Sequence, residues 1–237
     1  MKISIFLLCY NEERMLPYTL QHYKKQFPSA TITLFDNYST DRSCEIAEQE
    51  GCQVVKFDSK EQQDETLFIW IRSHLWRKYV TDGWVIMCDM DEWLDITEDE
   101  LYVEEIQGTT IITTKGFNMV GESTKADYSD INLFDIKRAY YEPNMSKRIC
   151  FKYPDVIMEY WYGAHKCFPQ GNAVYSTREY FLKHYDILGA EYLIDKYRRR
   201  YERNATSRSI GCNGHYIVDD NKTREIYQSA LNRSIHL

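Results

Sequence analysis

The chain lacks paired cysteines, an excess of basic charge and any long apolar run, and each absence removes a class of protein. Its seven cysteines, at positions 9, 44, 52, 88, 150, 167 and 212, are odd in number and scattered, with no CxxC pair. That spacing excludes a disulfide frame and a zinc ribbon, and it points to reduced thiols in a reducing compartment. A formal net charge of −7 argues against a nucleic-acid binder, whose footprint would be basic. No apolar run approaches the roughly 20 residues of a membrane span. The opening MKISIFLLCY runs straight into Asn11-Glu12-Glu13 without a small-residue cleavage site, so it reads as a first strand rather than a signal peptide. Sequons at Asn37, Asn144, Asn204, Asn221 and Asn232 carry no weight without such a signal. The expected setting is cytoplasmic. With no repeat, low-complexity tract or linker, residues 1–237 read as a single domain.

What is present is an ordinary globular balance of 43% hydrophobic and 27% charged residues, loaded with 20 tyrosines and five tryptophans. Such aromatics serve core packing or stack on sugar rings and bases. The first half alternates strands and helices. Ile3–Cys9, Thr31–Phe35, Gln53–Phe57 and Trp84–Cys88 read as strands, the first and last of them apolar runs. Met15–Phe27, a segment from the capping residues Ser39-Thr40-Asp41 to Glu50, and Gln62–Val80 read as helices. This alternation predicts an α/β fold with a mainly parallel sheet covered by helices on both faces. After Leu94 the pattern turns irregular. Thr97-Glu98-Asp99-Glu100 is a capping box, Thr109–Thr114 a strand, and Gly121–Asp130 a polar, mobile loop. Met145–Lys152 and the surroundings of His165 read as short strands, and Ala190–Thr206 as a charged helix.

Three strand ends carry polar groups: Tyr10-Asn11-Glu12, Asp36-Asn37 and Asp89-Met90-Asp91. In a parallel sheet all three fall on one edge, where ligands bind. In WVIMCDMDEWL a five-residue apolar run ends in three carboxylates within four positions. Carboxylates so close repel one another, and a divalent cation would relieve that repulsion.

CYNEE after a first strand, FDNYSTD after a second, Ile71-Arg72-Ser73 in a helix and CDMDEWL at a strand end resemble the family 2 glycosyltransferases of the GT-A fold. The likeness covers residues 1–95 well. It is patchier beyond, in Met145-Ser146-Lys147-Arg148-Ile149, Gly163-Ala164-His165 and Leu182-Lys183-His184-Tyr185. It implies a Rossmann-like domain with a nucleotide-sugar half at about 1–95 and an acceptor half with C-terminal helices at about 96–237. It also implies transfer of a sugar from a nucleotide diphosphate, UDP by preference, to a hydroxyl acceptor with inversion. Tyr10 and Asp36 would then hold base and ribose, with Asn11 and Glu12 of the same motif beside them. Arg72 would face the nucleotide, or else be a helix-surface charge. Asp89 and Asp91 are both placed at the metal: Asp91 would ligate it directly, while Asp89 points another way, to ribose or a metal-bound water. Glu92 is a supporting partner or a solvated neighbour. Oxygen ligands suit Mn²⁺ or Mg²⁺, and an imidazole favours Mn²⁺. His165 is the first candidate for that imidazole, unless it is structural, and His184 the second. Lys147 and Arg148 would neutralise the departing diphosphate or simply be surface charges.

Inversion needs a carboxylate to take the acceptor's proton. Asp155 is the first expectation, Glu159 the second, and Asp127 or Asp130 on the polar loop the fallback, the last two reading more readily as a lid. The basic run KYRRRYER, Lys196–Arg203, is a solvated helix face or a contact for an anionic acceptor or membrane surface. Two rival readings remain. A sugar nucleotidyltransferase would carry a glycine-rich basic loop where this chain has YNEE, and a non-catalytic carbohydrate- or nucleotide-binding module has no need to keep Asp36, Asp89 and Asp91.

Overall fold

The computed structural model describes residues 1–209 and 219–237, so Cys212 lies outside the described residues; the other six cysteines are free thiols. The apolar runs of the first half become β1 (Ile3–Cys9), β2 (Thr31–Asp36), β3 (Gln53–Lys56) and β4 (Gly83–Asp89). They pair in parallel in the order β3-β2-β1-β4. Strand parity explains their continuous hydrophobicity. Ile5, Leu7 and Ile86 point into one core cluster with Leu16, Leu20 and Tyr23 of helix α1 (Leu16–Gln26). Phe6, Val85 and Met87 point into another with Ile71 of helix α3 (Glu65–His74). Helix α2 (Ser43–Gln49) links β2 to β3.

The second half extends the same sheet. It contains β5 (Glu92–Asp95), α4 (Glu98–Ile106), β6 (Ile111–Val120), β7 (Arg138–Tyr141) and β8 (Cys150–Tyr153). The hairpin β9 (Val156–Tyr160) and β10 (Cys167–Gly171) stands apart as a two-stranded sheet. Then follow β11 (Tyr175–Ile187), α5 (Ala190–Arg203), α6 (Ala205–Ser209), α7 (Asp220–Arg233) and β12 (Ile235–His236). Here β8 pairs antiparallel to β4, and the order continues through β6 and β7 to β12. Strand β11 runs parallel to β6 and antiparallel to β5. No helix among the described residues is long and apolar enough to cross a membrane.

Several boundaries differ from the sequence pattern for local reasons. Helix α3 starts at Glu65, because the Asp64 carboxylate accepts the amides of Thr66 and Leu67 at 3.0 and 3.1 Å. Leu75–Lys78 tightens into a 3₁₀ turn. The capping box at Thr97 and Glu100 forms as read. Strand β6 runs past Thr114 because Gly116 admits the backbone of Met145; a Cβ there would lie 2.2 Å from the Met145 carbonyl carbon. The long strand β11 does not announce itself, since exposed polar residues interrupt its alternation. The Gly121–Asp130 loop is fastened: the Asp130 carboxylate accepts the Thr124 amide at 2.9 Å and hydroxyl at 2.6 Å.

Candidate active site

Parallel pairing sets Cys9 opposite Asp36 and Leu8 opposite Asp89, so the polar residues that follow these strands emerge at one sheet edge. The loops there are bonded to each other. Asn11, held at a positive φ of 54°, accepts the Thr40 amide with its Oδ1 at 2.7 Å. The Asn11 and Glu12 amides donate to the hydroxyls of Ser39 and Ser43 at 2.9 and 2.8 Å. Beneath them opens a cleft of about 1080 Å³, large enough for a nucleotide sugar.

Asp91, His184 and Asp186 offer two carboxylate oxygens and an imidazole nitrogen into this cleft, all within 4.8 Å of one another. His184 Nε2 is 3.5 Å from Asp91 Oδ2 and 3.9 Å from Asp186 Oδ1. The other ring nitrogen, Nδ1, lies 2.8 Å from Asn118 Oδ1, and the Asn118 amide donates to the Tyr140 hydroxyl at 2.9 Å. An Nδ1 proton given to Asn118 leaves Nε2 free as a metal ligand. Lys196 Nζ stands against both carboxylates, 3.2 Å from Asp91 Oδ2 and in contact with Asp186 Oδ1. Burial pushes both acids upward, but Lys196 and His184 outweigh it and hold Asp91 well below the ordinary carboxylate range, with Asp186 likewise lowered. Burial would lower His184, yet Asp91 and Asp186 raise it. Two ionised oxygens and an oriented imidazole fit a divalent ion of the Mn²⁺ or Mg²⁺ type.

A second cluster adjoins the first. Arg72 Nη2 donates to Asp89 Oδ1 at 2.6 Å, and Lys147 Nζ lies 3.7 Å from Asp89 Oδ2 while gripping Glu92 Oε1. Burial raises Asp89, but Arg72 and Lys147 overcome it and lower its pKa. Arg72 and Lys147 are buried and line the cleft, and Arg72 Nη1 is a buried donor with no hydrogen-bond partner among the described residues. An anionic oxygen would satisfy it. On the remaining wall the Arg203 guanidinium sits 3.3 Å from the Tyr10 ring centroid. Glu12 is raised to about 7, first by burial and then by the charge of Asp91.

The expected residues are not all gathered. Tyr10, Asn11, Glu12, Arg72, Asp89, Asp91, Lys147, His165 and His184 all line the cleft. Asp89 and Asp91 do point apart, because β4 ends at Asp89 and the chain turns at Met90; within a strand, residues two apart would share a face. That separation corrects the placing of Asp89 among metal ligands: it is paired with Arg72 and Lys147 outside the three-residue group. His165 is likewise outside that group, its Nδ1 lying 2.8 Å from the Asn144 carbonyl. Asp36 is fully buried behind the wall, where it accepts the Ser39 amide at 3.1 Å; Asn37 and Asp41 line the cleft instead. Asp155 and Glu159 need correction too. Asp155 sits on the β8–β9 turn near Lys152 at 3.7 Å, and Glu159 faces away from the strand's buried side to pair with Arg77 at 2.6 Å. Neither lines the cleft, whereas Asp127 does, 2.9 Å from Arg14. Arg148 is spent on the Ser146 carbonyl at 2.8 Å. The sequence reading missed Asp186, Asn118 and the inward role of Lys196. A usable signal was the spacing of His184 and Asp186, two apart and hence on one face of a strand.

Comparison with known proteins bears on the family and the fold. Protein RfbJ of Shigella flexneri is 36% identical over 52 residues, a match spanning 22% of this chain and 40% of RfbJ. Among solved structures, S. aureus TarS 1-349 in complex with UDP-GlcNAc superposes with a TM-score of 0.50 at 14% identity, over 98% of this chain and 72% of that one. Against a longer TarS structure the chain spans 43% of that protein, with a TM-score of 0.48. Glucosyl-3-phosphoglycerate synthase from Mycobacterium tuberculosis, solved with Mn²⁺, uridine-diphosphate and glucosyl-3-phosphoglycerate, matches at a TM-score of 0.34 and 16% identity, over 48% of this chain and 44% of that one. The sequence model described as Glycosyl transferase family 2 matches residues 4–168, which include all three polar strand ends, Asp89 and Asp91 among them, and on that match the chain belongs to glycosyl transferase family 2.

Proposed function

We propose that this domain transfers a sugar from a nucleoside diphosphate, UDP first among them, to a hydroxyl acceptor with inversion, using a divalent ion held by Asp91, His184 and Asp186. The observation that carries the proposal is the meeting of two carboxylates and an oriented imidazole in a cleft that also holds a buried, half-satisfied arginine. When bound, the ion would offset the charge that develops on the departing diphosphate. The chain's own part is to bind and orient. Arg72 and Lys147 supply buried positive charge for phosphate oxygens, and Asp89 holds both of them in place. Asn118 fixes the His184 ring. Tyr10 offers an aromatic face for the base once Arg203 moves aside.

For the acceptor's proton, Asp127 is the carboxylate of the polar loop that reaches the cleft, and hydrogen bonds from Ser129, with Arg14 beside it, hold its pKa below the ordinary carboxylate value, so it is ionised and able to accept. Calorimetric titration of UDP with and without Mn²⁺, followed by hydrolysis of UDP-sugars without acceptor, tests the reading. Mn²⁺-dependent UDP binding and slow donor hydrolysis are expected. Tight UDP binding indifferent to metal, with no hydrolysis of any donor, would favour a binding module instead.

A further inference from the structure

The divalent-ion site already contains a cation, and that cation belongs to the chain. Lys196 Nζ lies 3.2 Å from Asp91 Oδ2 and touches Asp186 Oδ1, the same two oxygens that with His184 Nε2 form the ligand group. The residue is 4% exposed, so bulk water does not screen it. An ammonium and a divalent ion cannot share that space, because like charges about 3 Å apart repel strongly in a buried setting. The ammonium must therefore leave when the ion arrives. Helix α5 need not move for this. Tyr192 and Leu193 anchor its first turns in buried packing, while lysine carries its charge on a flexible four-carbon stem. The ways out are unequal. Toward the rest of α5 stands Arg200, whose charge opposes the ammonium. Toward the cleft there is open volume beside Arg72 and Lys147, which welcomes another cation only when an anion is present.

We propose that Lys196 is a tethered counter-ion that keeps the divalent-ion site closed until a nucleoside diphosphate enters, and that its ammonium then turns onto the phosphate oxygens. This rests on the metal-dependent reading given above. The arrangement couples the two ligands: the ion alone must displace an ion pair, whereas ion and diphosphate together give the ammonium a new partner. By linkage the coupling is reciprocal, so each ligand tightens the other by the same factor.

Mn²⁺ affinity, followed by the loss of free-ion signal in electron paramagnetic resonance, should be measured with and without UDP for the wild type and Lys196→Met. In the wild type UDP should tighten Mn²⁺ by at least about tenfold, within the usual span of coupling between sites. Lys196→Met should bind Mn²⁺ alone about tenfold more tightly than the wild type, with its coupling to UDP correspondingly reduced. Equal Mn²⁺ binding by both proteins, or weaker binding by the variant, overturns the Lys196 role and leaves the metal reading standing. No Mn²⁺ binding by either protein, with UDP present, overturns both. Should Lys196→Met not fold, the wild type answers alone. The Lys196 13Cε resonance, assigned against Lys196→Arg, should shift when Mg²⁺ and UDP are added together and stay put with Mg²⁺ alone. A resonance unmoved by a saturating mixture contradicts the proposal.

Discussion

The two halves of the molecule reach the cleft by different routes. Residues 1–95 deliver their groups from the ends of neighbouring parallel strands, and the loops that carry them are bonded to each other across about 30 residues of sequence, as Asn11 is to Thr40 and Asp41. The second half delivers His184 and Asp186 from β11, a strand that returns to pair with β5 and sets His184 opposite Glu92. Lys196, from the helix after it, meets Asp91 across a separation of 105 residues. The first half thus supplies a cradle fixed by local topology. The second supplies ligands whose position depends on long-range pairing, and the candidate metal centre exists only where the two meet.

The largest effect should come from cutting that meeting point on either side. Asp91→Ala in the first half and Asp186→Ala in the second should each lower transfer by about 10²–10³-fold, as expected for removing one fixed electrostatic partner. Steady-state kinetics with saturating Mn²⁺ checks this; a loss confined to Asp91→Ala would leave β11 outside the centre.

Next comes the seam between α1 and β5. The His22 ring lies buried with Nε2 2.9 Å from the Leu94 carbonyl, and burial lowers its pKa to about 4 from 6.5. Because the folded state resists protonation that the unfolded state accepts, stability is complete above the unfolded value. It is lost as pH falls from about 6.5 toward 4, by on the order of 3 kcal/mol. Denaturant midpoints across that range should fall with acid in the wild type, and His22→Gln should flatten the profile. An unchanged slope would refute the assignment.

A smaller effect sharpens the account of the cradle. Asp36→Ala should cost about 1 kcal/mol of stability, because it leaves the half-buried Ser39 amide without its acceptor. Normal stability with a selective loss of UDP affinity would instead place Asp36 against the base. The smallest effects should be those of Asp155→Asn and Glu159→Gln, whose side chains lie outside the cleft. Turnover within about twofold of wild type is expected, as for surface positions, and a drop of about 10²-fold or more in either would restore it as the base.

How much of this was legible in the sequence follows the same division. Strands β1, β2 and β4 are readable because both faces of each are largely buried, which makes their sequences mostly apolar, whereas β3, at the end of the sheet with exposed Gln53 and Lys56, is readable only from its place in the strand–helix alternation. Their strand ends followed from topology alone. The β11 segment was not readable as a strand, because Arg178, Glu179 and Lys183 break its alternation and only pairing with β5 and β6 makes it extended. The resemblance favours His165 over His184, but the backbone carbonyl of Asn144 lies against one of the His165 ring nitrogens. Asp155 and Glu159 were chosen for their aromatic neighbours, but β9 turns its aromatic Tyr160 into the core and leaves Glu159 outside. Chemistry could be read from residue type, but which carboxylate faces the cleft is decided by strand parity and distant pairing.

The central claim, that the ion's imidazole comes from β11, is tested most directly by Mn²⁺ binding to His184→Ala and His165→Ala in the presence of UDP. His184→Ala should weaken Mn²⁺ binding by about 10–100-fold or more, at least the loss seen when a supporting residue of a metal ligand is removed, while His165→Ala should bind as the wild type does. The reverse pattern, with His184→Ala unaffected and His165→Ala impaired, would contradict it.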